Sequence, residues 1–287
     1  MLSPISPEPE KLTDLVRELK ARVELGRGEH WTFSPRTPSL RAGDAGRAQP
    51  RGAADSSLRL SEVSKVAESS QGDVYGTAKI QPAGALDAAA ELARLKAEVE
   101  QCRKCSLGHH RLNPAFGVGS PDARVVFIGE GPGFDEDRLG EPFVGKAGQL
   151  LDKILASIGL SRQTVYIANI VKCHPMRDPE HPELRGNDRP PEPEEISACL
   201  GYLEKQLEWI RPKIIVTLGA VAARVMLRTH SGVTALRGRW QERPVWTFGP
   251  PVKILPTYHP AALLRNPKLK IDVWEDMKSL KKELEST

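Results

Sequence analysis

The sequence predicts an α/β fold: a three-layer sandwich with a central four-stranded parallel sheet and helices on both faces. Three observations carry this. Four short apolar runs alternate with stretches of helical periodicity between residues 84 and 284. The runs are short, continuous and β-branched, as strands buried on both faces must be. Composition also changes near residue 90, so the alternating part stands apart from what precedes it.

The elements follow in order. Residues 84–101 read as a helix with Leu92, Leu95 and Val99 on one face, leading into Cys102. Ala123 to Ile128 is the first strand, and Gly129 opens a turn. Ala147 to Ile158 is amphipathic through Leu150, Leu151, Ile154, Leu155 and Ile158, and Gly159 stops it. Val165 to Val171 is the second strand. Pro193 to Trp209 is a helix, with proline in its first turn and Glu194 and Glu195 at its positive end. Lys213 to Leu218 is the third strand and Ala220 to Leu227 the next helix. Val252 to Pro256 is the fourth strand, running into Thr257-Tyr258-His259-Pro260, and Ile271 to Leu284 is the last helix. In such sheets ligands bind beyond the carboxyl ends of the strands. That singles out three loops, 129–145, 169–192 and 257–267.

The chain has 287 residues. Two parts are expected: an extension over 1–90 and a folded domain over 91–287. Residues 32–83 are rich in Ser, Pro, Gly, Ala and Arg with few large apolar residues, the composition of a disordered linker. Leu12, Leu15, Val16, Leu19 and Val23 recur at helical spacing, so a short helix is expected before it, solvated or docked on a partner protein. Of 41 basic and 37 acidic residues, residues 1–90 hold 12 of each, so the net charge of +4 resides in residues 91–287. A mildly basic surface allows phosphate binding without requiring it.

Four cysteines stand out: Cys102 and Cys105 as a Cys-x-x-Cys pair, then Cys173 and Cys199 alone. The start lacks the basic and apolar regions of a secretory leader, and no apolar run would span a bilayer. A reducing cytoplasm is expected, and there clustered cysteines favour a metal centre over disulfides. Zinc sites usually draw on two close pairs. One pair with two singletons suits an iron–sulfur cluster better, with zinc the rival and ordinary buried cysteines a third option.

Two loops carry further signals. Gly129-Glu130-Gly131-Pro132-Gly133 lets backbone approach a ligand and present N–H groups. It is neither a Walker loop nor a dinucleotide fingerprint. His259-Pro260-Ala261-Ala262-Leu263-Leu264-Arg265 follows the fourth strand and places a histidine in the ligand zone.

Together these loops resemble motifs A and B of the uracil-DNA glycosylase superfamily. With the four cysteines, the chain is similar to family 4, the iron–sulfur members, over roughly Leu95 to Leu284. The resemblance extends to Pro142 through Gly148 and to Asn169 through Cys173. It implies an enzyme that flips deoxyuridine from single- or double-stranded DNA and hydrolyses the N-glycosidic bond, leaving an abasic site. It implies a 4Fe-4S cluster on Cys102, Cys105, Cys173 and Cys199 that braces the DNA-binding loops, a monomer, and no membrane partner. Catalysis would fall to His259, donating to uracil O2, and to Glu130 or Asn187 for water. Base binding would fall to Gly131, Glu136, Phe143, Asn169 and His259, with Glu136 crowding the 5-methyl of thymine. Leu263, Leu264 and Arg265, with Lys268, would hold DNA. His109, His110 and Arg111 would touch phosphate. Asn187 matches less closely, because residues 178–185 are inserted before it. The alternative from another class is a non-catalytic, metal-stabilised nucleic-acid-binding module, which has no need of His259 and Asn169 at one rim.

Overall fold

The structure is a computed structural model and describes residues 88–245 and 251–286. The expected early helix and linker lie outside the described residues. In chain order the elements are α1 (Ala88–Glu100), α2 (Leu107–His110), β1 (Val118–Gly119), β2 (Val125–Gly129), α3 (Phe134–Leu139), α4 (Lys146–Ser157) and β3 (Tyr166–Asn169). Then come α5 (Pro193–Ile210), β4 (Ile214–Leu218), α6 (Ala220–Leu227), α7 (Val233–Leu236), β5 (Gln241–Arg243), β6 (Val252–Thr257), α8 (Pro260–Arg265) and α9 (Leu269–Ser286).

The sheet is mixed and six-stranded, in the order β1-β3-β2-β4-β6-β5. This corrects the expected four-stranded parallel sheet. The four strands read from the sequence are its centre and pair in parallel. The additions are antiparallel edges, β1 on β3 and β5 on β6. Neither edge has a readable signal. β1 is two residues long, and β5 is Gln-Glu-Arg, half exposed. Polar, short edge strands resist pairing with other chains, so they lack the apolar run that marks a central strand.

Period-two alternation in the central strands builds a core on each face. Val126 and Ile128 join Leu92, Leu95 and Val99 of α1 and Leu203 and Leu207 of α5. Val125 and Phe127 point the other way, to Leu151 and Leu155 of α4 and Val273, Met277 and Leu280 of α9. Among the described residues no helix is long and apolar enough to cross a membrane.

The parallel register puts Gly129 beside Asn169, so the ends of β2 and β3 open together. Thr257 ends β6 two residues before His259. Its hydroxyl donates to buried Asp276 at 2.6 Å, and Arg237 also grips Asp276. The strand end carrying His259 is thereby fastened to α9.

Candidate functional site

The site forms where β2, β3 and β6 end. His259 is the N-cap of α8, with its Nδ1 accepting the N–H of Ala261 at 3.1 Å. That bond leaves Nδ1 unprotonated and puts the ring proton of the neutral imidazole on Nε2. Burial, with the charge of Arg265, lowers the His259 pKa to about 4. The ring is therefore a neutral donor at physiological pH.

Phe143 stacks on His259, with centroids 5.4 Å apart and planes at 29°. Its backbone is left-handed, φ 56°, a costly conformation for a phenylalanine. Three neighbours hold it there. Arg162 donates to the carbonyls of Pro142 and Phe143. Glu136 accepts the N–H groups of Val144 at 2.9 Å and Gly145 at 3.0 Å, and on its other oxygen that of Gly133 at 3.2 Å. Gly148 allows the approach, because a Cβ there would lie 1.7 Å from the Phe143 carbonyl oxygen. Glu136 thus clamps the loop after β2 to the turn carrying Phe143. Its carboxylate is engaged by these three backbone N–H groups.

Asn169 is 1% exposed, and its Oδ1 is buried without a hydrogen-bond partner. A buried amide oxygen without a donor costs about 1–3 kcal/mol, so Oδ1 is open to a donor from a ligand. Gly129 faces it: a Cβ there would come within 2.4 Å of Oδ1 and 2.5 Å of the Phe143 ring. Asn169, Phe143 and His259 therefore converge on one recess. Gly131 lies in the adjoining loop, against Val171 and Pro175. Glu130, beside it, is half-buried, and burial raises its pKa above the usual carboxylate range.

Three expected residues are placed elsewhere. Asn187 donates to the carbonyls of Asp178 at 2.7 Å and His181 at 3.1 Å, and accepts the Asp178 N–H at 2.8 Å. Both ends of its amide fasten the inserted segment, leaving water activation without support there. Leu263 is 1% exposed and belongs to the core, whereas Leu264 is 48% exposed. Arg265 and Lys268 are exposed, as are Asn266 and Pro267 between them. Arg111, expected at phosphate, instead donates to Cys173 Sγ at 2.9 Å and to the carbonyls ending α1. His109 and His110 are exposed.

The four cysteines line one cavity, together with Arg111, Lys172 and Tyr202. All four are free thiols. Burial pushes the Cys173 thiol up to about 12 against the opposing effect of Arg111, and burial raises Cys199 as well. Unbound, these thiols would hold their protons, so a bound cationic centre would supply the charge that ionises them. Among the described residues no group of three or more His, Cys, Asp or Glu side chains is placed to hold a metal ion. The four thiols line one space, and their all-sulfur donor set is of the kind that holds an iron–sulfur group. Glu195 braces the region. It pairs with Arg189 at 2.6 Å, accepts the Ser106 hydroxyl beside Cys105, and accepts the Glu192 N–H that starts α5.

Sequence reading missed Lys172, Gln206 and Arg162. Gln206 had a signal: it falls on the apolar face of α5 with Cys199, Tyr202, Leu203 and Ile210. Lys172 had a weaker one, as a lysine inside the run Ile170-Val171-Lys172-Cys173.

A family model described as the uracil DNA glycosylase superfamily matches residues 116–278. The chain is 43% identical over 187 residues to a type-4 uracil-DNA glycosylase of Archaeoglobus fulgidus, covering 64% of this chain and 88% of that protein. It is 41% identical over 196 residues to the type-4 enzyme of Sulfurisphaera tokodaii, covering 66% and 83%. It is 42% identical over 187 residues to that of Thermotoga maritima, covering 64% and 89%.

Proposed function

Because the chain belongs to the uracil-DNA glycosylase superfamily, among its type-4 members, we propose a division of labour for its site residues. The protein is a uracil-DNA glycosylase that releases uracil from DNA in repair. The observation that carries the residue assignment is the unpartnered Oδ1 of Asn169, which shares Gly129 as a neighbour with the Phe143 ring that stacks on the neutral, oriented His259.

Asn169 accepts from the N3–H of a flipped uracil and donates to O4, a pairing its amide fits in one orientation. Phe143 stacks on the base. As the C1′–N1 bond breaks, the electron pair passes to uracil and charge builds on O2. His259 Nε2–H donates there, and the N–H groups of the Gly131 loop assist. With its imidazolium pKa lowered to about 4 the ring is already neutral, and a neutral imidazole is too weak an acid to give up Nε2–H, so uracil leaves as an anion stabilised by hydrogen bonding. Water adds to C1′ of the oxocarbenium-like sugar. Glu130, the half-buried carboxyl nearest the glycine loop in sequence, is the group assigned to take its proton. Leu264 fills the gap left by the flipped base, and Arg265 and Lys268 hold phosphates.

The four cysteines are the ligands assigned to a 4Fe-4S cluster, supported by their shared cavity and their all-sulfur donor set. Such a cluster supplies structural bracing here, and no catalytic step needs its electrons. Residues 91–287 are assigned as the glycosylase domain and 1–90 as an N-terminal extension. A monomer acting on single- or double-stranded DNA in the cytoplasm completes the reading. Duplexes carrying one uracil test the residue assignment. Asn169→Ala should lose most uracil release while abasic-site binding persists, and equal loss of both would overturn it.

A further inference from the structure

Lys172 stands between the two sites and is fully buried. Toward the cysteines it lines their cavity, and its amide N–H donates to Cys199 Sγ at 3.3 Å. Toward the base it donates from Nζ to the main-chain carbonyl of Asn169 at 2.9 Å. Its other Nζ bond goes to Gln206 Oε1 at 2.6 Å. Gln206 is itself fixed, donating to the Phe116 carbonyl at 3.0 Å and the Tyr166 hydroxyl at 3.1 Å.

This arrangement is costly without a purpose. A lysine is almost never fully buried unless paired, and both Nζ partners here are neutral oxygens. What it does have is position: its side chain lines the cysteine cavity, its amide N–H meets Cys199 Sγ, and its Nζ reaches the end of β3. The same ammonium fixes the carbonyl of the residue whose side chain reads the base. Asn169 ends β3, so its side chain is aimed by how this last peptide is held.

We propose that Lys172 is a positioning residue that couples the cysteine centre to base reading, by lining the cysteine cavity while its Nζ holds the main-chain carbonyl of Asn169. This rests on the proposed readings of the four cysteines as cluster ligands and of Asn169 as the uracil reader. It extends the centre's part from bracing loops to setting the affinity for uracil.

The test uses the full-length protein as purified, with Lys172→Met and Lys172→Arg. Binding of free uracil and of an abasic-site duplex is measured, with iron per chain alongside. Lys172→Met is expected to keep folding and DNA binding within about twofold, yet bind free uracil at least about tenfold more weakly, the scale of one lost bond from a charged group. Lys172→Arg should recover part of that loss. Unchanged uracil affinity in Lys172→Met, or equal loss of uracil and abasic-site binding, would overturn the tether. Coupling is reciprocal, so saturating free uracil should shift the midpoint potential of the wild-type centre and not that of Lys172→Met. No shift in the wild type would overturn the coupling. If Lys172→Met does not accumulate folded, Gln206→Leu removes the second Nζ partner and is held to the same uracil-versus-abasic comparison. Wild-type protein lacking iron would sink the cluster reading and the coupling together, while the uracil-versus-abasic split still decides the tether.

Discussion

The ring of Phe143 lies stacked on that of His259, 5.4 Å between centroids. The two reach this position from different strand ends, and Phe143 does so in a left-handed backbone conformation. The recess is therefore preformed, with its aromatic wall and its proton donor fixed against each other before any base enters.

The first prediction concerns that donor. His259→Ala should lower kcat about 100- to 1000-fold, the usual cost of one preorganised donor at a developing anion. Affinity for an abasic-site duplex should stay within a few-fold. Single-turnover kinetics with a binding titration separate the two, and parallel losses would make His259 a binding residue.

The pH dependence follows from two shifts. His259 titrates near 4 rather than its ordinary 6.5. It is thus neutral through the working range and sets no limb there. Glu130 is raised by burial, so it should set the acid limb of kcat, above the ordinary carboxylate range. Glu130→Gln should lower kcat and remove that limb; an unchanged profile would exclude Glu130 as the proton acceptor. For stability the sign at His259 is fixed. The folded state binds its proton less readily than the unfolded one, so between about 6.5 and 4 this group costs stability as pH falls.

Neighbouring leucines should behave oppositely. Leu263→Ala removes a core side chain and should cost about 2–5 kcal/mol of stability. Leu264→Ala should leave the melting temperature nearly unchanged and slow uracil release from duplex DNA more than from single strands, where no gap needs filling. Melting curves and paired substrates read this directly.

That contrast shows what the sequence could and could not express. The four central strands were legible because each is an apolar run buried on both faces, as in Val125–Gly129. The roles of His259 and Asn169 came from the family resemblance; the structure puts His259 two residues past β6 and Asn169 at the last position of β3. Leu263 and Leu264 were not separable, since the short helix α8 turns about 100° per residue and only packing decides which one faces α9. Asn187 reads as a catalytic amide until the inserted segment claims both its ends. Lys172 carried only a weak signal, because burial of a lysine depends on partners brought from α5. Glu136 and Gly148 hold Phe143 through backbone contacts that no side-chain pattern announces.

The clamp at Phe143 gives another test. Glu136→Gln keeps the shape but weakens three bonds from backbone N–H groups. A loss of about 1–3 kcal/mol in stability is expected, with a larger relative fall in kcat/KM as Phe143 shifts. Stability loss with unchanged kcat/KM would mean that the clamp does not set the recess.

The cysteine centre predicts iron and acid-labile sulfide in equal amounts in protein purified without air, with zinc absent. Cys173→Ala and Cys199→Ala should each lose most of both. A zinc-loaded protein without iron would replace the cluster by another centre.

The most direct measurement compares duplexes identical but for one uracil or one thymine, scored for free base and for strand cleavage at abasic sites by alkali. The account predicts free uracil and an abasic site from the first, nothing from the second, and near-complete loss of the product in Asn169→Ala. Full uracil release by Asn169→Ala would contradict the assignment of the recess, and no release by the wild type from either duplex or single strand would contradict the account as a whole.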